Sequence, residues 1–344
     1  FHILFNYYCI MLKIGINGFG RIGKMFFRLS LLEKDIKVVA INDLISIEDL
    51  YHFMKYDSVH GNIKQDIKLK QNCISVNGYD IKISSEKNPK NIGWADSQVD
   101  LVLESTGIFL THESAIQHIH AGAAKVLLSA PSKDQTPMFV YGVNHNSYDH
   151  TMKIISNASC TTNALAPIIK VLDQKLGIIN GNMTTIHSIT NDQNILDNSH
   201  KDLRRARAAF SSIVPTSTGA AKSIGLVLPK LKNKIDGSAL RVPTPNVSLI
   251  DFHFNSRTKS TVKEINDILR SASERSMKGI MSTNDLPLVS IDFNHNSSSV
   301  IADLTQTQVQ DETLIRVVGW YDNEWGFANR MLDIAEYIQK NNLI

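Results

Sequence analysis

The chain has 344 residues, of which 43% are hydrophobic and 20% charged, and its net charge is +3. That length exceeds one ordinary core and predicts two domains with a cleft between them. The composition is that of a globular protein. No apolar run reaches bilayer-spanning length, and the Lys and Arg residues are interspersed with acids instead of forming a tract suited to nucleic acid.

Cys9, Cys73 and Cys160 are spaced neither as a disulfide framework nor as zinc ligands, so no metal is expected and a reducing cytoplasm is the expected compartment. Residues 1–10, FHILFNYYCI, lack the basic start and cleavage site of a secretory signal. They precede Met11 and are read as an extension outside the fold, the alternative being an aromatic arm docked on a neighbour.

From Leu12 onward, short β-branched runs alternate with helical patterns: LKIGIN, a helix between Gly20 and Glu33, KVVAIN, ISIEDLYHFMKY, DLVLEST, HESAIQHIHAG and AKVLLSA. This rhythm predicts a doubly wound parallel sheet. The stretch IKLKQNCISVNGYDIKISS reads as a hairpin turning at Asn77 and Gly78, where both residue types tolerate positive φ. GINGFGRIG puts Gly18, Gly20 and Gly23 directly after a strand and at the start of a helix. There glycine permits the tight turn, the approach of a pyrophosphate and the packing of helix on strand, while the helix N-terminus faces the anion. Asp43 ends the second strand, where a carboxylate binds ribose hydroxyls and repels a 2′-phosphate, so NAD is favoured.

The texture changes near Ser156. A helix beginning at Cys160 leads into the longer strands MTTIHSIT, SALRVPTPNVSLIDFHF and LIRVVGWY, which suggest a second domain with a mainly antiparallel sheet. Ser159 is a good N-cap for that helix. A thiol at the helix N-terminus is expected to have a lowered pKa, although an isolated cysteine is more often an inert core residue. His187, on the strand TTIHSIT, is the candidate base; spacing alone does not show that it meets Cys160. Between Thr190 and Gly219 runs a polar, Arg-rich segment without periodicity, of a length usually functional or interfacial. Glu324 to Gln339 reads as an amphipathic helix.

GINGFGRIG, YDSVHG, ESTGIF, LSAPSKD, SNASCTTN, the strand ending in His187, PTSTGAAK, RVPTPNVS and WYDNEWGFANR occur in the order found in phosphorylating glyceraldehyde-3-phosphate dehydrogenases, which the chain resembles from Met11 to its C-terminus. The resemblance implies a Rossmann domain over residues 11–158, an α+β catalytic domain over 159–323, and a C-terminal helix, 324–344, returning to the first domain. It implies that Cys160 attacks an aldehyde to give a hemithioacetal, that His187 accepts the hydroxyl proton as hydride passes to NAD, and that inorganic phosphate attacks the remaining thioester. It places Thr190 and Arg241 at the substrate phosphate, and Ser159, Thr161, Thr218, Gly219 and Arg205 around the attacking phosphate, with Arg204 and Arg207 as alternatives to Arg205. Gly18, Gly20, Arg21, Ile22, Gly23, Asp43, Ser129 and Asn323 fall to the cofactor, Asn323 at the nicotinamide carboxamide. A homotetramer is implied, with the 190–219 loop at an interface.

The chain departs from the family at Asn198 and Ser199, where many members carry Leu-Pro, and at Phe327, where Tyr is usual. The first departure suggests some tolerance of NADP. The erythrose-4-phosphate dehydrogenases share SNASCTTN but generally lack Thr190, Thr218 and Gly219. A binding protein that has lost the chemistry is disfavoured by the presence of Cys160 and His187.

Overall fold

The computed structural model describes residues 11–341; the N-terminal extension of the sequence reading lies outside them. Two sheets organise the chain. The first is built from β1 (Leu12–Asn17), β2 (Ile36–Asn42), β3 (Ile67–Leu69), β4 (Cys73–Val76), β5 (Tyr79–Ser84), β6 (Leu101–Glu104), β7 (Lys125–Leu128) and β8 (Ile154–Ser156). Their spatial order is β3-β4-β5-β2-β1-β6-β7-β8, parallel from β5 to β8. Strands β3 to β5 form an antiparallel meander that turns at Asn77 (φ 48°) and Gly78 (φ 86°), the two positions expected to accept positive φ. The crossovers use α1 (Arg21–Ser30), α2 (Ile47–Lys55) and α3 (His112–His120). Strands β1, β6 and β7 are almost wholly buried, as parallel strands covered on both faces must be.

The second sheet begins after α4 (Cys160–Leu176). It contains β9 (Ile178–Ser188), β10 (Val214–Thr216), β11 (Ile235–Val242), β12 (Ser248–Ser256), β13 (Met281–Asn284), β14 (Val300–Gln310) and β15 (Leu314–Tyr321), with α5 (Ala220–Val227) and α6 (Val262–Glu274). The order is β10-β11-β9-β12-β15-β14-β13. Among the described residues of this sheet, only β9/β11 and β13/β14 pair in parallel. Strand β12 alternates buried and less buried residues along its length, the period-two pattern of a sheet with one face on the core. Here that core is α4, α5 and α6.

The last helix, α7 (Trp325–Lys340), returns to the first sheet. Trp325, Phe327, Ala328, Met331 and Ala335 join the core formed by β1, β2 and α1. It is buried on more than the single stripe an amphipathic surface helix would show, because it packs against both α1 and α4. Cys160 touches the cores of both sheets. Among the described residues no helix is long and apolar enough to cross a membrane, and no group of three or more His, Cys, Asp or Glu side chains could hold a metal ion.

Candidate active site

The crevice lies where the first sheet reverses its winding, at the C-terminal ends of β1, β2 and β6, which is where open α/β sheets bind ligands. Three glycines shape it, each for a different reason. Gly18 has φ +91°, and a Cβ there would lie 2.8 Å from the backbone N of Thr106. A Cβ on Gly23 would lie 2.2 Å from the Gly18 carbonyl oxygen, so helix and strand could not close. At Gly20 a Cβ would meet nothing within 4 Å, leaving the backbone open where α1 begins. The first-turn amides of α1, including those of Arg21 and Ile22, have no intrahelical acceptor and suit a pyrophosphate.

A cavity of about 300 Å³ beside this turn is lined by Gly18, Gly20, Asn42, Asp43, Leu44 and Thr106, among others. One Asp43 oxygen accepts from the Phe19 amide at 2.6 Å, and the other from the Ile45 amide at 3.2 Å. The carboxylate is thereby fixed at the end of β2, where it can meet a ribose. The open path at Gly20 and the aimed acid fit a dinucleotide. Arg21 commits its guanidinium to Asp57 (2.6 Å) and to Glu324. Only its backbone remains for a cofactor, and its charge joins α1 to the start of α7.

Gly20, Ser105 and Thr106 also line a larger cavity of about 710 Å³, together with Arg21, Ile22, Ser129, Ser159, Cys160, His187, Thr190, Asp192, Arg241, Asn323 and Phe327. Cys160 opens α4. Ser159 caps the helix, its hydroxyl accepting from the Thr162 amide at 3.0 Å. Ala158, just before the cap, holds φ +58°, a left-handed conformation costly for a residue with a Cβ; it swings the chain from β8 into the helix. The Cys160 Sγ lies 3.6 Å from His187 Nε2. His187 sits in register with Arg241 on neighbouring β11, which brings the guanidinium against the imidazole.

The thiol does not behave as the helix N-terminus alone suggested. Burial pushes it above its ordinary value; the Arg241 charge and the Thr161 hydroxyl and amide oppose this only in part. Burial, then the charge of Arg241, pushes the His187 imidazole down to about 3. Both effects favour neutral partners, because a low-dielectric site penalises either charge. Both shifts weight the resting pair toward thiol and imidazole. His187 Nδ1 lies 2.7 Å from the Ser188 carbonyl oxygen. A proton on Nδ1 donated to that carbonyl leaves Nε2 free as the base facing sulfur; the Arg241 guanidinium, which only donates, meets the same Nδ1 and competes with that proton. Arg241 donates to the same carbonyl at 2.9 Å, while its Nε is buried without a partner among the described residues and is a ready donor to an anion.

Asn323 is oriented by two serines to which the sequence reading gave no role. Its Oδ1 accepts from Ser188 Oγ and Ser248 Oγ, both at 2.8 Å, so its NH₂ is left for a ligand carbonyl in the cavity. Thr161, given to the attacking phosphate by the resemblance, does not line the cavity. Its hydroxyl lies 3.0 Å from the Tyr321 hydroxyl and 4.0 Å from Sγ, buried behind the nucleophile. Thr218, Gly219 and Arg205 do not line the cavity of Cys160. Arg205 borders it through an ion pair with Asp192 and donates to Thr216 Oγ1 at 2.8 Å. Arg204 is exposed, and so is Arg207, which pairs with Asp197. Of the three arginines, only Arg205 is tied to a residue of the cavity wall. Tyr321 and Ser248 lie within WYDNEWGFANR and RVPTPNVS, and Ser188 follows His187, but each reads as an ordinary strand residue until the sheet pairs it with the site.

A dinucleotide crevice that opens onto a cysteine–histidine pair defines a class, the nucleotide-dependent oxidoreductases that carry a nucleophilic cysteine. Residues 12–112 match the family model of the glyceraldehyde 3-phosphate dehydrogenase NAD binding domain, and residues 159–323 that of the glyceraldehyde 3-phosphate dehydrogenase C-terminal domain. The chain is 50% identical to the glyceraldehyde-3-phosphate dehydrogenase of Geobacillus stearothermophilus, over 96% of this chain and 99% of the relative. It is 51% identical to glyceraldehyde-3-phosphate dehydrogenase 2 of Trichormus variabilis, over 95% and 98%, and 49% identical to a chloroplastic enzyme of Arabidopsis thaliana, over 96% and 84%. The chain belongs to the glyceraldehyde-3-phosphate dehydrogenase family, and its cofactor is NAD.

Proposed function

We propose that the protein oxidises D-glyceraldehyde 3-phosphate to 1,3-bisphosphoglycerate with inorganic phosphate as co-substrate. The observation that carries this is the 3.6 Å approach of Cys160 Sγ to His187 Nε2 in a cavity that also holds Arg241 and Asn323. His187 takes the thiol proton as sulfur adds to the aldehyde carbon, and returns it to the oxygen to complete the hemithioacetal. NAD, when bound, supplies the hydride acceptor. As the carbon is oxidised, the hydroxyl proton passes to His187 Nε2 and a thioester remains on Cys160. Phosphate attacks that thioester, and the Cys160 sulfur leaves as a thiolate that takes the proton held on His187 Nε2. Thr190 and Arg241, both on the cavity wall, serve the substrate phosphate; Ser159, Thr161, Arg205, Thr218 and Gly219 serve the incoming one. Thr161 steadies the sulfur. Domain limits at residues 11–158 and 159–323, with 324–344 returning, suit this division of labour.

Some use of NADP accompanies Asn198 and Ser199, which lie in the exposed loop. A homotetramer is supported by the same loop, where Ile195, Leu196, Leu203, Phe210 and Ile213 are exposed apolar side chains. A cytoplasmic location is supported by the free thiols of Cys73 and Cys160. Steady-state assays with NAD and NADP, with and without phosphate, on three- and four-carbon aldehyde phosphates test the reading. Phosphate-dependent NADH formation from the three-carbon substrate is expected. Preference for the four-carbon aldehyde would make it an erythrose-4-phosphate dehydrogenase, and NAD binding without turnover a silent relative.

A further inference from the structure

Beneath the smaller cavity lies a carboxylate that the proposed chemistry does not use. Glu104, at the end of β6, is fully buried, as is His118 on α3. Trp94 Nε1 donates to His118 Nδ1 at 3.0 Å. An indole N–H only donates, so Nδ1 is an acceptor and the single imidazole proton lies on Nε2, which faces a Glu104 oxygen at 2.9 Å. The same oxygen accepts from Asn17 Nδ2 at 2.6 Å. The other accepts from the Thr106 amide at 2.9 Å and from the Thr106 hydroxyl. Four donors thus converge on an acceptor-only group with a neutral histidine as its one ionisable partner among the described residues.

The polarity of that carboxylate propagates in two directions. Asn17 turns its NH₂ to Glu104, so its Oδ1 is left to accept from Asn42 Nδ2 at 2.8 Å. Asn42 also donates to the Glu86 carbonyl at 2.9 Å and accepts from the Glu86 amide at 2.8 Å. In the other direction, Thr106 Oγ1 accepts from the Ile108 amide at 3.1 Å. Glu86 and Lys87 form one part of the cavity wall, and Ser105, Thr106, Ile108 and Phe109 contribute another.

We infer that Glu104 is a positioning residue for the adenosine half of the cofactor: two hydrogen-bond arms from one buried carboxylate set both parts of this wall. The inference rests on reading this cavity as part of the NAD site. Glu104→Gln keeps the shape, but its amide faces donors on both sides, so either flip sets N–H against N–H. Calorimetric titration of the full chain with NAD and with AMP, which probes the adenosine half alone, is the test. Both affinities should fall roughly ten-fold, the scale of a buried donor losing its acceptor, while iodoacetamide alkylates Cys160 at the wild-type rate. A lower melting temperature with unchanged AMP affinity would mean a merely structural role and would overturn the inference. Should Glu104→Gln not fold, Thr106→Val cuts one arm, and unchanged AMP affinity there overturns it equally. Wild-type protein that binds neither nucleotide would instead refute the reading of the cavity.

Discussion

His187 is held neutral, and this has a measurable effect on stability. Its folded-state pKa, about 3, lies below the value of about 6.5 for a free imidazole. The stability it contributes is therefore complete above about pH 6.5 and is lost as pH falls toward 3, because the unfolded chain takes up a proton that the folded site refuses. Within that window His187→Gln should flatten the pH dependence of unfolding free energy, by up to ~1.4 kcal/mol per pH unit, as read from urea titrations. Its turnover should fall by roughly 10²–10⁴-fold. Cys160→Ser should abolish turnover while NAD titration remains normal; an active serine variant would refute the covalent route. Since burial raises the Cys160 thiol, alkylation of the free enzyme should keep accelerating with pH beyond the ordinary thiol range.

Helix α4 presents the nucleophile through two local devices with opposite energetic signs. The Ser159 cap is favourable, and Ser159→Ala should cost about 1 kcal/mol of stability as its Thr162 contact is lost. The left-handed Ala158 is unfavourable, and Ala158→Gly should raise the melting temperature, relieving about 1 kcal/mol of backbone strain. If that variant melts lower, the turn is not strained. Most of these elements were legible in the sequence. The glycine turn, the Asn77–Gly78 hairpin and the capped helix are set by φ preference and by the competition of short side chains for backbone groups, all local effects. Strand pairing is not local, and so the placement of Arg241 beside His187 through β9 and β11 could not be read from spacing.

At the scale of the molecule, the two sheets are joined around Arg21, Asp57, His60 and Glu324. Asp57 is buried and shared between Arg21 and Lys24, while Glu324 also meets His60 Nε2 at 3.0 Å. Removing the cation leaves Asp57 with Lys24 and Glu324 with His60 as their remaining partners, so Arg21→Ala should destabilise the protein by roughly 1–3 kcal/mol and loosen α7 from α1. Equilibrium unfolding and hydrogen exchange over residues 324–340 would measure both effects. The apolar side chains of the 190–219 loop belong to the same scale. Phe210→Asp should shift the proposed tetramer to smaller species in sedimentation, and an unchanged assembly would place the interface elsewhere.

Composition, period and motif were enough to determine the two-sheet architecture and the dinucleotide turn, and to nominate Cys160 and His187 as candidates, because these depend on backbone conformation and residue chemistry within a few positions. Only the tertiary structure decided what each charge faces. Arg21 became a clamp, Thr161 a support behind the sulfur, and Glu104 the anchor of the cavity wall. It also reversed the expected shift of the Cys160 thiol. The physical reason is common to all four: hydrogen-bond partners and desolvation come from residues brought together by the fold, and a short stretch of sequence contains neither.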